Sequence, residues 1–189
     1  MKNAVLAVRL LLLTYVGYSG VRHLTDPEYG SLFGAVEFGT HEFGHMVFAF
    51  FGEWLTVAGG SIAQVAIPVL VALLFWRQKE RVGIAVCGGW LAISLAQMAV
   101  YMADARALEL DLLSFSPDAD THDWNYLFKS LGIIQYDVRI GTFVRHVGWL
   151  ALAASLVYGV WAAWRAARAQ PAEAAGPVAE PPSGKGRAR

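Results

Sequence analysis

Hydrophobic residues along this chain form long uninterrupted runs and do not follow the period of a half-buried helix or strand. Five runs approach the roughly 20 apolar residues that a helix needs to cross the hydrocarbon of a bilayer. They lie near 4–21, 31–54, 58–76, 83–103 and 142–164. The pattern therefore predicts an all-α fold, a polytopic membrane helix bundle with about five transmembrane helices.

The first run has the start of a secretory signal, since Lys2 and Arg9 precede four leucines at 10–13. Residues 15–20, however, offer no clear small-residue site at which such a signal is cleaved. We therefore expect the first run to remain as a helix of the bundle.

Two segments differ from the apolar runs. The first, 107–131, mixes apolar residues with too much charge for contact with lipid, so it should lie outside the bilayer or fold back on the bundle. The tail 169–189 is rich in Pro, Gly and Ala and should be disordered. The predicted organisation is a transmembrane bundle over 1–168, with a partly helical extramembranous segment at 104–141, followed by this tail.

Basic residues predict the orientation, because short cytoplasmic loops carry an excess of Lys and Arg. They gather at 77–81 and again after the fifth run, at 165–189. A five-span bundle makes both regions cytoplasmic and puts 104–141 outside. It also puts the N terminus outside, despite Lys2 and Arg9.

Composition narrows the class of protein. Only 16% of residues are charged, against about 25% in a soluble domain. The formal net charge is zero, which leaves no basic field for nucleic acid. Cys87 is the single cysteine, so a disulfide within the chain and a Cys-rich zinc site are both excluded. We expect a multi-pass protein of a cell membrane, a bacterial inner membrane, with the lipid bilayer as its surroundings.

The second run contains an H-E-x-x-H motif at residues 41–45. On a helix the spacing of four stacks His41 and His45 on one face, where they can share a metal ion. Glu42 lies about 100° around the helix and can address a metal-bound water as a general base. Such groups are costly at bilayer depth and predict a functional site. A hydrogen-bonded cluster between helices is the alternative.

Glu37 stands four residues before His41, on the same stripe of the helix. It could accept a hydrogen bond from an imidazole N–H and so fix the tautomer. Alternatively, it could form a salt bridge near the inner face, with Arg9 or Arg22 as partner. The sequence leaves both interpretations open.

A catalytic zinc site needs a third protein ligand. The candidates are His122, Asp123, Asp104 and His146. His122 is the first choice, because the carboxylate, indole and amide that follow it could complete a binding site.

The predicted depth of His45 in the bundle argues against His122 as the third ligand and for His146. A second helix that ends near residue 54 puts His45 about nine residues, or about 13 Å, below its outer end. Segment 107–131 would then have to dip into the bundle to deliver His122. His146, on the fifth run, needs no such detour.

The third run opens with Gly59-Gly60 directly after a short turn, so its helix should lie antiparallel to the H-E-x-x-H helix. The glycines permit close approach. Ser61 and Gln64 could then bind an extended peptide or the neighbouring helix, and Pro68 should kink the helix.

These residues resemble the intramembrane zinc metalloproteases of the site-2 protease class, which carry H-E-x-x-H on a membrane helix and a Gly-x-x-x-Asn-type motif after it. The matching residues are His41, Glu42 and His45 and, more loosely, Gly60 to Gln64. The resemblance implies a Zn²⁺ cofactor and hydrolysis of a peptide or membrane-protein substrate by metal-activated water, with Glu42 as general base.

The third ligand of that family comes from an Asp-Gly motif, and no Asp-Gly dipeptide occurs in this chain. His122 or Asp123 would have to replace it. Two other functions remain open. One is a membrane protein that binds metal without cleaving peptides. The other is a metal-dependent hydrolase or oxidase acting on lipid, in which more of the polar residues join the site as ligands of a second metal. The candidates are Glu37, Asp104, His122 and His146.

Overall fold

The computed structural model describes residues 2–110 and 122–168, and within them it contains helices and turns but no strand. Two predicted regions, 111–121 of the charged segment and the tail 169–189, lie outside the described residues. The helices are α1 (Lys2–Thr25), α2 (Leu32–Phe48), α3 (Glu53–Arg77), α4 (Arg81–Ala103), α5 (Asp123–Ser130) and α6 (Asp137–Arg168), with short 3₁₀ turns at Ala49–Phe51 and Ile134–Tyr136.

Four helices, α1, α3, α4 and α6, are long and apolar enough to cross a membrane. Each of the five predicted runs forms a helix, but the second one, α2, has only 17 residues. Its length is therefore about 26 Å, short of the roughly 30 Å of hydrocarbon in a bilayer. It ends early because Gly52, with a φ of 92°, turns the chain directly into α3. The structure thus supports four candidate spans, and a fifth is not confirmed.

Helix α4 lies at the centre of the bundle and packs against α1, α3 and α6. Its inward residues Ala92, Ile93 and Ala99 are completely buried. Small residues let the helices approach closely: a Cβ added at Gly141 of α6 would lie 2.5 Å from the carbonyl oxygen of Ala99. Close packing of this kind is the main source of helix association in lipid, where hydrophobic burial contributes little.

Helix α1 runs parallel to α4. Near its beginning, Arg9 forms an ion pair with Glu80 at 2.7 Å. Near its end, Leu24 packs against Ala92 in the middle of α4. The N-terminal half of α1 therefore lies at the same end of the bundle as the 77–81 loop.

Helix α2 starts part-way along α1 and does not traverse the bundle. The chain that leaves α1 folds back along it, and Ser31 Oγ lies 2.8 Å from Nε2 of His23. Two residues later the ring of Phe33 stacks on Tyr15, with centroids 5.9 Å apart. From there α2 returns to the end of the bundle that the chain had just left.

A comparison with α3 gives the same result. Gln64 of α3 donates a hydrogen bond to Glu37 of α2, so these two residues lie at one level. Helix α3 continues for thirteen residues beyond Gln64, whereas α2 begins only five residues before Glu37. The two helices are antiparallel, so the first residue of α2 lies about 12 Å short of the level at which α3 ends.

The short α2 changes the predicted topology. Because α2 enters and leaves at one end, the N terminus and the 77–81 loop share the opposite end. The five-span bundle put them at different ends, and that expectation is corrected. Arg9 lies at the same end as the 77–81 loop, beside Glu80, so the conflict with the distribution of positive charge disappears.

Helix α5 covers the end of the bundle opposite the 77–81 loop. Phe128 is 2% exposed and packs with Met98 and Met102 of α4. The indole N–H of Trp54, at the start of α3, donates a hydrogen bond to Ser130 Oγ at 3.0 Å. The α5 part of the charged segment thus folds back on the bundle, which is one of the two alternatives predicted for it.

This arrangement makes a topological prediction. In a Cys87→Ser background, single cysteines at positions 3 and 79 should react with an impermeant thiol reagent from one side of the membrane, and a cysteine at position 130 from the other. The positive-inside rule makes the first side cytoplasmic. Reaction of positions 3 and 79 from opposite sides would contradict the return of α2.

Candidate metal centre

The two histidines of the H-E-x-x-H motif lie close to the end of α2. His45 is three residues from Phe48, where the helix ends, and not nine as the longer predicted helix required. The rings of His41 and His45 are 4.6 Å apart. Together with Glu42 they form a group whose ligand atoms all lie within 4.8 Å of one another. The motif therefore lies near the end of the bundle that α5 covers, within reach of α5.

Backbone contact between α2 and α3 places this group. A Cβ added at Gly44 would lie 2.2 Å from the carbonyl oxygen of Gly59, and one added at Gly60 would lie 2.6 Å from the ring of His41. Only glycine permits these approaches. Helices α2 and α3 thus pack closely, as their glycines predict. This packing brings polar groups of α3 against both imidazoles.

Oxygen atoms of α3 face the Nδ1 atom of each imidazole. His41 Nδ1 lies 3.0 Å from Oε1 of Gln64. His45 Nδ1 lies 2.8 Å from the backbone carbonyl oxygen of Thr56. An oxygen partner at Nδ1 favours the tautomer that carries its proton there and leaves Nε2 free to bind a cation.

A carboxylate from α5 faces the Nε2 atoms. Oδ2 of Asp123 lies 2.8 Å from Nε2 of His41 and 3.3 Å from Nε2 of His45. The backbone N–H of Asp123 donates a hydrogen bond to the hydroxyl of Tyr101 at 2.9 Å. Burial alone would raise the pKa of the Asp123 carboxyl, but its contacts with the two imidazoles outweigh burial and hold that pKa below its usual value.

His122, the first choice as third ligand, has partners other than the imidazole pair. Its Nδ1 accepts a hydrogen bond from the backbone N–H of Asn125 and so caps α5. Its Nε2 lies 3.3 Å from Oδ2 of Asp104 but at an angle that makes no hydrogen bond. Its ring stacks on Tyr101, with centroids 4.1 Å apart. Burial lowers the pKa of His122.

The other two candidates have partners of their own. His146 is exposed, and its Nδ1 lies 2.7 Å from the carbonyl oxygen of Thr142 in the same helix. Asp104 accepts hydrogen bonds from the backbone N–H groups of Glu109 and Leu110 at the end of α4. Of the four candidates, Asp123 is the one in contact with both imidazoles.

Glu37 is completely buried and takes neither of its two predicted roles. Arg9 pairs with Glu80 and Arg22 with Asp26, so neither arginine is its partner. Instead the Glu37 carboxylate accepts hydrogen bonds from three side chains and contacts His41 only through one of them. The three donors are Gln64, Trp90 and Ser94.

Several residues of the site carry no signal in the sequence. Trp90, Ser94 and Tyr101 lie in an ordinary apolar run, and Thr56 contributes a backbone carbonyl oxygen that any residue would supply. Gln64 follows Gly60 at helical spacing, and it is the one partner of the imidazoles among these residues that the sequence pattern indicated. The others come to the site only through the crossing of α2, α3 and α4.

The pattern of acceptors suits a cation. Each imidazole has an oxygen at both nitrogens, but a neutral imidazole carries a single N–H and can satisfy only one of them. Two protonated imidazoles so close together would repel each other. One divalent cation between His41, His45 and Asp123 would satisfy both Nε2 atoms and the carboxylate, so these residues fit a metal ion.

No family model, curated protein or solved structure matched this chain in the comparisons with known proteins.

The contact of α2 with α3 can be tested with two alanines on one helix. Gly44→Ala should destabilise the protein by about 1–3 kcal/mol, because its Cβ meets the backbone of Gly59. Gly39→Ala is the matched control, since nothing lies within 4 Å of its Cβ. Thermal unfolding in detergent should show a loss for position 44 only. Equal behaviour of the two variants would contradict this packing.

Proposed function

We propose that this chain is a multi-pass membrane metallopeptidase. His41, His45 and Asp123 would hold one zinc ion, and Glu42 would act as general base in the hydrolysis of a peptide bond. The carrying observation is the convergence of three ligand atoms: Oδ2 of Asp123 lies within 3.3 Å of both imidazole Nε2 atoms. Two histidines and one carboxylate are a ligand set typical of catalytic zinc sites.

The roles of the two carboxylates are assigned by position. Asp123 faces both Nε2 atoms, which suits a ligand. Glu42 forms a group of potential ligands with the two histidines, but it shares their helix and points about 100° away from His41. A carboxylate beside the ligands suits a base that addresses the reacting water.

The chemistry follows from these parts. When bound, zinc supplies a Lewis acid that acidifies water and polarises a peptide carbonyl group. Glu42 accepts the proton as the water oxygen attacks the carbonyl carbon, and then transfers this proton to the leaving nitrogen. Asp123 and the two imidazoles keep their positions throughout, because α3 and Tyr101 hold them.

The membrane setting is part of the proposal. Four helices long and apolar enough to cross a bilayer support a membrane protein. We propose a multi-pass protein of a cell membrane, a bacterial inner membrane. The proposed topology puts the site near the outer face, at the end where α2 enters and leaves. Both imidazoles are partly exposed, which gives water and an unwound peptide or membrane-protein segment access.

Metal analysis tests the ligand set. Purified protein should hold close to one zinc per chain, whereas His41→Ala, His45→Ala and Asp123→Asn should each lose most of it. His122→Ala is the neighbouring control and should keep its zinc. Zinc retained in Asp123→Asn but lost in His122→Ala would reverse the two roles, and two metals per chain would favour the lipid-directed alternative.

A pair of isosteric variants separates the base from the ligand. Glu42→Gln should keep zinc and fold while peptide hydrolysis falls by about a hundredfold to ten-thousandfold, because the base is gone. Cleavage of unstructured peptides by detergent-solubilised protein is the assay, with Asp123→Asn as the metal-free reference. Full activity of Glu42→Gln would refute the peptidase mechanism.

A further inference from the structure

The two imidazoles of the site differ in how their tautomers are determined. The partner of His45 Nδ1 is the backbone carbonyl oxygen of Thr56, which can only accept a hydrogen bond. The partner of His41 Nδ1 is the side-chain amide of Gln64. An amide can present either its oxygen or its NH₂ group, so the tautomer of His41 depends on how Gln64 is oriented.

Gln64 is oriented by Glu37. The NH₂ group of Gln64 donates to Oε2 of Glu37 at 3.1 Å, and both oxygens of Glu37 accept hydrogen bonds from neighbouring donors. The NH₂ group of Gln64 must therefore face Glu37, and its oxygen must face His41. Gln64 thus offers His41 an acceptor at Nδ1, in competition with the Asp123 carboxylate at Nε2. A proton on Nδ1 leaves the lone pair of Nε2 facing Oδ2 of Asp123, and a cation between them would satisfy both.

Glu37 is itself held as an acceptor. Ser94 Oγ donates to its Oε1 at 2.8 Å, and the indole N–H of Trp90 donates to the same atom. No described arginine or lysine pairs with this carboxylate, and the side chain is completely inaccessible to solvent. Burial of a carboxyl group is costly, and hydrogen bonds from three side chains offset that cost and fix its orientation.

We propose that Glu37 and Gln64 are positioning residues that select the metal-binding tautomer of His41 by a relay of two hydrogen bonds. The relay spans α2, α3 and α4, so the tautomer of His41 depends on the packing of three helices. This inference rests on the proposed metal site, but it makes a separate claim about the position of a proton in the metal-free protein.

The relay predicts the effect of an isosteric change. In Glu37→Gln the new amide can keep its oxygen toward Trp90 and Ser94, but its NH₂ group then meets the NH₂ group of Gln64. Gln64 has to flip, and its own NH₂ group then faces His41 Nδ1. The proton of the imidazole moves to Nε2, where it blocks the metal.

The same logic predicts a rescue. In the double variant Glu37→Gln with Gln64→Glu, the amide at 37 donates to the carboxylate at 64, and this carboxylate accepts from His41 Nδ1. The hydrogen bond between positions 37 and 64 is restored with donor and acceptor exchanged. The bonds from Trp90, Ser94 and His41 keep their direction, and the volume and net charge are unchanged. A residue that only filled space would show no such rescue.

Zinc affinity, measured by competition with a chelator in detergent, tests the relay. Glu37→Gln should bind zinc about tenfold to a hundredfold more weakly than the wild type, and the double variant should recover most of the loss. Glu80→Gln removes a carboxylate elsewhere in the bundle and should bind zinc as the wild type does. Unchanged affinity in Glu37→Gln, or a double variant no better than the single one, would overturn the relay.

Nitrogen NMR of protein labelled at histidine gives an independent readout. In metal-free wild type, at a pH where the imidazole is neutral, the His41 signal should show the proton on Nδ1; a His41→Gln variant identifies that signal. A proton on Nε2 would overturn the relay even if Glu37→Gln failed to fold. A wild type that has the predicted tautomer but binds no zinc would refute the proposed metal site and leave the relay intact.

Discussion

The contact between the backbones of α2 and α3 at Gly44 and Gly59 is the constraint on which the rest of the site depends. A single added methyl group at either glycine would overlap the opposite helix. At this separation the carbonyl oxygen of Thr56 and the amide of Gln64 reach the Nδ1 atoms of the two imidazoles. With a larger separation, the same residues would leave both rings free to rotate, and no common point for their Nε2 atoms would exist.

The second constraint is the short length of α2. Because the chain folds back along α1 before α2 begins, the helix reaches only part of the way through the bundle. It therefore ends beside the histidines, and α5 can lie across that end with Asp123 as its first residue. A full-length second span would have left the histidines about three turns of helix below the surface, beyond the reach of a surface segment.

Polar groups in this bundle occur as a connected set. From the indole of Trp90 the hydrogen bonds lead through Glu37 and Gln64 to His41, and from there to Asp123. From Trp90 to His41 each donor meets an acceptor, which is what an apolar surrounding requires, since an unpaired buried polar group costs a few kcal/mol. With the His41 proton on Nδ1, its Nε2 and the Asp123 carboxylate are both acceptors, and the proposed cation would lie between them. Four buried side-chain atoms in the described residues have no hydrogen-bond partner: Oγ of Ser19, Oγ of Ser61, Nε2 of His122 and Nε1 of Trp124. The last two lie directly on either side of Asp123.

The sequence by itself determined the helical class and the histidine pair. Long apolar runs can satisfy their backbone only as helices, and a spacing of four places His41 and His45 on one face whatever surrounds them. Both are local properties of the chain. The tertiary structure decided the rest: where α2 ends, which of the neighbours His122 and Asp123 faces the site, and how Glu37 reaches His41. His41 and Asp123 are 82 positions apart, and their contact arises from helix packing that no local pattern encodes.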